Sequence, residues 1–107
     1  MTPIMQHDLY PNPNARSRRA YPLLVVLQSD YAEGDRRLIA PLAPYVSPFT
    51  STASRALPVV EHDTKRFAVA LPLISSLPRS MLRGAVGSLA DYRADITRAL
   101  DWLLFGI

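Results

Sequence analysis

Few side chains in this sequence are of the kinds that make and break bonds, and their spacing gives them little to do together. There is no cysteine, which excludes disulfides, cysteine-rich zinc sites and thiol nucleophiles. The histidines are His7 and His62, and His62 stands in Glu61-His62-Asp63, three potential metal ligands in a row. Three consecutive side chains do not converge readily on one ion, so a charged hairpin tip is the better reading. Asp30, Glu33 and Asp35 flank a turn and would bind a cation only weakly; solvated turn chemistry explains them more simply. No serine lies in a nucleophile-elbow pattern or pairs recognisably with a histidine. Gly34, Gly84, Gly87 and Gly106 form no phosphate-cradling loop. No cofactor is implied, and a non-enzymatic protein that acts by binding is expected.

The binding signal is at the C-terminal end. Leu89, Tyr92, Ile96, Leu100 and Leu103 recur at three- and four-residue spacing within a stretch free of proline and glycine from Ser88 to Leu104. That pattern predicts one amphipathic helix whose apolar stripe packs on the rest of the domain. At about 100° per residue, Asp91, Arg98, Trp102 and Phe105 fall on the opposite face. Large aromatics on such a face are favoured interface anchors. The alternative is that Trp102 folds back onto the domain, or that the helix frays before Phe105. The sequence closes on the apolar Phe105-Gly106-Ile107, which is either docked on the protein or held ready for a partner.

The elements that must position this helix read as short strands. Leu23 to Leu27 is apolar and β-branched, bounded by Pro22 and by Gln28-Ser29-Asp30, and predicts a buried strand. Glu33-Gly34-Asp35 is a turn, and Arg37 to Ala40 a second strand ended by Pro41. Pro44 to Ser54 reads as a loop. Leu57 to Val60 is strand-like, with Pro58 assigning it to an edge or a bulge. A hairpin turn over Glu61–Lys65 and a returning strand over Phe67–Leu71 follow. Pro11-Asn12-Pro13-Asn14 reads as a turn or exposed loop leading into Arg16-Ser17-Arg18-Arg19. The fold class expected is mainly β, an antiparallel sheet or small barrel with a C-terminal α-helix, in a single domain over residues 1–107.

Of the residues, 49% are apolar, enough for one core in a chain of 107. The net charge is +3, and eleven of the twelve basic residues are arginine. A modest positive field suits an acidic partner, either a protein or a nucleic acid; a solvated basic loop is the simpler reading of the arginine cluster. No apolar run approaches the roughly 18 residues of a membrane span, and the N-terminus lacks the pattern of a secretory signal. A cytoplasmic location is therefore expected, and Met5 is a second candidate start.

Three stretches together resemble one family: Leu27-Gln28-Ser29-Asp30 followed by Arg36-Arg37-Leu38-Ile39-Ala40-Pro41-Leu42-Ala43; Leu57-Pro58-Val59-Val60; and the helix closing in Phe105-Gly106-Ile107. Their order and terminal placement are similar to the CcdB family of plasmid and chromosomal toxins, from about Met5 to Ile107. The resemblance implies an SH3-like barrel of the CcdB/MazF type working as a homodimer. It implies a toxin that binds the A subunit of DNA gyrase and traps the enzyme on cleaved DNA. It also implies neutralisation by a CcdA-like antitoxin with a disordered acidic tail, with DNA contacted only through the toxin–antitoxin complex.

Carried over by position, the gyrase-binding residues implied are Phe105, Gly106 and Ile107, with Asp101 and Trp102 on the helix and Tyr31 and Ala32 after Gln28-Ser29-Asp30. Phe105 stands where the family has tryptophan, and Asp101 where it usually has asparagine. Arg16, Arg18 and Arg19 are the antitoxin-binding residues expected. Two other readings of the same fold are a MazF-type endoribonuclease, for which Arg36, Arg37 and His62 are the nearest candidates, and a non-toxic relative that binds antitoxin and represses its own operon.

Overall fold

The computed structural model describes residues 3–45 and 55–107. Seven strands form one antiparallel sheet: β1 Asp8–Pro11, β2 Leu23–Val26, β3 Arg36–Pro44, β4 Val59–His62, β5 Lys65–Val69, β6 Ser75–Pro78 and β7 Gly87–Ser88. Helix α1, Arg93–Phe105, follows. The strand order is β4-β5-β3-β2-β1-β7, with β6 paired to the free part of β3. The mainly β fold with a C-terminal helix is the one expected, and its geometry matches a nearly closed SH3-like barrel.

The sheet is covered on both sides. On one side Leu9, Val25, Leu42, Val60 and Val69 pack with Leu89, Ile96 and Ala99, and with the partly buried Tyr92, Leu100 and Leu103. On the other, Tyr10, Leu24, Val26, Ile39 and Leu82 form a second cluster. Alternate residues of β2 thus serve different clusters, which is why Leu23 to Val26 reads as a continuous apolar run rather than an alternating one. The predicted helical stripe is the buried one.

The boundaries differ in instructive places. Pro41 does not end β3, which continues to Pro44. The N–H and C=O of a strand residue point to the same edge, and Pro41 O accepts from Ala70 N at 2.8 Å. The missing Pro41 donor therefore faces the gap between β6, which pairs as far as Ile39, and β5, which begins at Leu42. Glu61 and His62 belong to β4, not to the turn, and β4 starts at Val59 rather than Leu57. Asp63 and Thr64 alone make the turn, both with positive φ, as a two-residue type I′ hairpin requires. The returning strand is Lys65–Val69, because Leu71 already begins a 3-10 turn. The helix starts at Arg93 rather than Ser88, since Ser88 pairs with Asp8 and a 3-10 turn, Ala90–Tyr92, intervenes. Pro11 lies in β1 and Asn12 is buried, so the loop begins only after β1 and is exposed from Asn14. Strands β1, β6 and β7 have no counterpart in the sequence reading. The predicted loop from Pro44 to Ser54 lies, beyond Tyr45, outside the described residues.

The two end strands of the sheet are joined by side chains. The Glu61 N–H donates to Tyr92 Oη at 3.0 Å, tying β4 to the start of the helical segment. His62 lies across Gly87, so closely that a Cβ at residue 87 would sit 2.7 Å from His62 Cε1. Glycine at 87 is thus required by the approach of the imidazole. Gly87→Val should cost about 1–3 kcal/mol of stability by overpacking. Pairing it with His62→Ser should recover much of the loss, which thermal melting of the two single variants and the double variant would measure.

Candidate protein-docking site

Helix α1 ends on a glycine in the left-handed region. Gly106 has φ 74°, and its N–H donates to Trp102 O at 2.9 Å. This cap satisfies an end carbonyl and turns the chain off the helix axis before Ile107. The helix does not fray before Phe105. Its last turn leaves Leu104, Phe105 (70% exposed) and Ile107 (78% exposed) in solvent, while Asp101 and Leu103 are half-buried. Three large apolar side chains thus stand clear of the core within four residues.

Trp102 belongs only partly to that face. It is half-buried, and the Arg55 guanidinium lies 5.1 Å from its ring centroid, a cation–π arrangement. With Pro58, Val59, Arg98 and Ala99 they line a cleft of about 290 Å³ between β4 and α1. Of the two sequence readings, folding back onto the domain describes Trp102, and exposure to solvent describes Phe105.

Tyr31, 96% exposed, and Ala32 lie in the loop between β2 and β3. The preceding Gln-Ser-Asp supports them. Gln28 Nε2 donates to Ala32 O at 2.5 Å and its Oε1 accepts from Leu38 N at 3.1 Å, so one amide spans the loop. Ser29 Oγ accepts from Tyr31 N at 3.1 Å. Asp30 Oδ1 accepts from Gln6 N at 2.6 Å, which makes Asp30 a structural anchor rather than a cation ligand. Arg16, Arg18 and Arg19 are exposed in the loop between β1 and β2, at the opposite end of β2. That loop is closed by buried Asn12. Its Nδ2 donates to Ser17 Oγ at 3.0 Å and Tyr21 O at 2.8 Å, and its Oδ1 accepts from Asn14 N at 2.9 Å.

The candidate residues therefore fall into three groups rather than one. Asp101, Trp102, Phe105, Gly106 and Ile107 share the helix end. Asp30, next to Tyr31, accepts from Gln6 N, and the adjoining His7 O accepts from Leu89 N, so the Tyr31 loop is joined to the segment that leads into α1. Phe105 lies about 18 Å of helix rise further on, at 1.5 Å per residue. One chain thus does not bring Tyr31 beside the tail. The arginine loop forms the third group.

The ribonuclease candidates are not assembled. Arg36 binds Ser76 Oγ and O, Arg37 binds Gly34 O and Arg36 O, and His62 rests on Gly87. Among the described residues no group of three or more His, Cys, Asp or Glu is placed to hold a metal ion, and no helix is long and apolar enough to cross a membrane.

A family model described as CcdB protein matches residues 6–106. The chain belongs to the CcdB family. Membership places it among the toxins of toxin–antitoxin modules. No curated protein matches the chain.

His7 was legible only as an isolated histidine. Its φ is 72°, its N–H donates to Val26 O at 2.7 Å, and its O accepts from Leu89 N at 2.8 Å. It thereby ties β2 to the segment that leads into α1. The ring is buried, and Nδ1 has no hydrogen-bond partner among the described residues. Burial lowers its pKa below 6.5, Arg93 lowers it further, and Asp30 raises it. Its folded-state pKa is therefore depressed, so the unfolded chain takes up the proton first as pH falls. The stability held above pH 6.5 should be lost as pH drops from there through the folded pKa. His7→Asn, which tolerates the left-handed backbone, should show a smaller fall in melting temperature between pH 7.5 and 5.5 than the natural protein.

Proposed function

We propose that this protein is a CcdB-type toxin that works by binding rather than by bond chemistry. It docks its C-terminal end on the A subunit of DNA gyrase in the cytoplasm and traps gyrase–DNA cleavage complexes. A CcdA-like antitoxin with a disordered acidic segment neutralises it. The observation that carries the reading is the exposed apolar end of α1, where Phe105 and Ile107 flank a glycine with no Cβ to hold a partner away. Phe105, Gly106, Ile107, Asp101 and Trp102 form the gyrase-binding set, with Tyr31 and Ala32. Because Tyr31 is remote from the tail of its own chain, a two-fold homodimer would let one target meet the tail of one protomer and the loop of the other. Arg16, Arg18 and Arg19, exposed at the far end of β2, supply positive charge for the acidic antitoxin segment.

Deleting residues 105–107 should abolish gyrase inhibition in a supercoiling assay. The melting temperature should barely move, because these side chains contribute little to the core, about 0.5 kcal/mol each at exposed positions. Full inhibition by the truncated, normally melting chain would place the working surface elsewhere. Phe105→Trp should keep or strengthen inhibition.

Light scattering at micromolar concentration should report twice the chain mass. A persistent monomer would contradict the two-protomer surface.

A further inference from the structure

The cleft between β4 and α1 has a chemistry distinct from the apolar tail. Its walls are Pro58, just before β4, Val59 at the start of β4, and Ala99 and Trp102 from the helix. Two guanidiniums reach it, and they differ. Arg98 Nη1 is 3.4 Å from Asp95 Oδ1, an exposed i,i+3 pair. Arg55 lies over the indole and has no carboxylate or carbonyl acceptor among the described residues. A cation on an aromatic ring is held in place without losing its N–H donors, so stacking on the indole does not itself use them up. That guanidinium covers one face of the indole. Among the described residues, what the cleft leaves open is an aliphatic wall beside a pre-placed cation with no acidic partner.

We propose that this cleft binds an acidic peptide segment, seating a carboxylate on Arg55 and an aliphatic side chain against Val59 and Ala99. Charge complementarity selects the occupant, since a planar guanidinium with free donors matches a carboxylate two bonds at a time. The proposal rests on the reading that an acidic disordered segment neutralises this protein. It gives that segment a second point of attachment besides the Arg16–Arg19 loop. Two separate contacts on one flexible chain multiply affinity through effective concentration. Asp95 would act as a brake, since it holds Arg98 back from the ligand.

Trp102 is the only tryptophan and lines the cleft, so its emission reports occupancy directly. The intact protein is titrated with a synthetic decapeptide of alternating glutamate and leucine, with calorimetry in parallel. Saturable binding is expected. Arg55→Glu should weaken it about tenfold at low salt, and Asp95→Asn, which frees Arg98, should tighten it several-fold, both at unchanged melting temperature. A merely structural role for these exposed residues would not produce tightening. Equal binding of an alternating lysine–leucine peptide would overturn the proposal. So would tighter binding of AMP than of the glutamate peptide, or unchanged binding by Arg55→Glu. Reversing Arg16, Arg18 and Arg19 to glutamate separates the two readings. If that variant loses the peptide while Arg55→Glu keeps it, the acidic-segment reading stands and the cleft proposal falls. If the natural protein binds no acidic peptide at all, both fall.

Discussion

The architecture turns on how β3 shares its two edges. One edge is taken by β2 over Ile39 to Leu42; the other is divided between β6, as far as Ile39, and β5, from Leu42. A strand that changes partners halfway needs a place where no ladder bond is required. Pro41 sits there with no N–H to waste, its carbonyl taken by Ala70. From that division the rest follows. Strand β5 leads outward to β4, and β6 leads around to β7, which returns to β1 at the far end of the sheet. His62 and Tyr92 then close the circuit by packing across the gap between β4 and the segment that starts the helix.

Much of this was readable from residue types alone, because burial on both faces of β2 and on one face of α1 leaves a plain apolar imprint. Val25 and Val26 serve opposite clusters, and Ile96 and Ala99 face the core at helical spacing. What stayed hidden was held by tertiary partners rather than by local preference. Strand β6 is Ser-Ser-Leu-Pro, a segment extended mainly by its pairing with Arg36–Ile39. Strand β7 is two residues long, and β1 is masked by its proline-rich continuation. Pro41 read as a terminator because the gap opposite it is not a property of its neighbours in sequence.

The candidate site was legible to a similar degree. Phe105 and Ile107 stood out as an apolar end that had to be either docked or presented, and both are exposed. Trp102 was misplaced by a helical wheel that treats each face as uniform; at about 60° from Ala99 it flanks the core and reaches Arg55. No spacing rule joins residue 55 to residue 102. The Gln-Ser-Asp signature was visible as a pattern, while its work as amide span, turn acceptor and N-terminal anchor emerged only from the hydrogen bonds. A family signature of this kind marks the support of a presented side chain, Tyr31, more directly than the side chain itself.

The arginine loop carries an implication for how such proteins diversify. Asn12 grips Ser17 and Tyr21, and its own N–H donates to Pro22 O at 3.0 Å, so both ends of the loop are clamped before the arginines are reached. Arg18 adds to the clamp by donating to Asn12 O and Pro13 O, both at 3.3 Å, whereas substitutions at Arg16 and Arg19 alter surface charge without removing a bond that holds the loop. Lengthening such a closed loop costs little, since closure entropy grows only logarithmically with length. Natural variation can accordingly drift through this segment while the barrel stays constant; under the proposed role of the loop, such drift would change which antitoxin a copy recognises. Two paralogous modules in one genome could become insulated from each other at this loop, with the fold and the apolar tail unaltered.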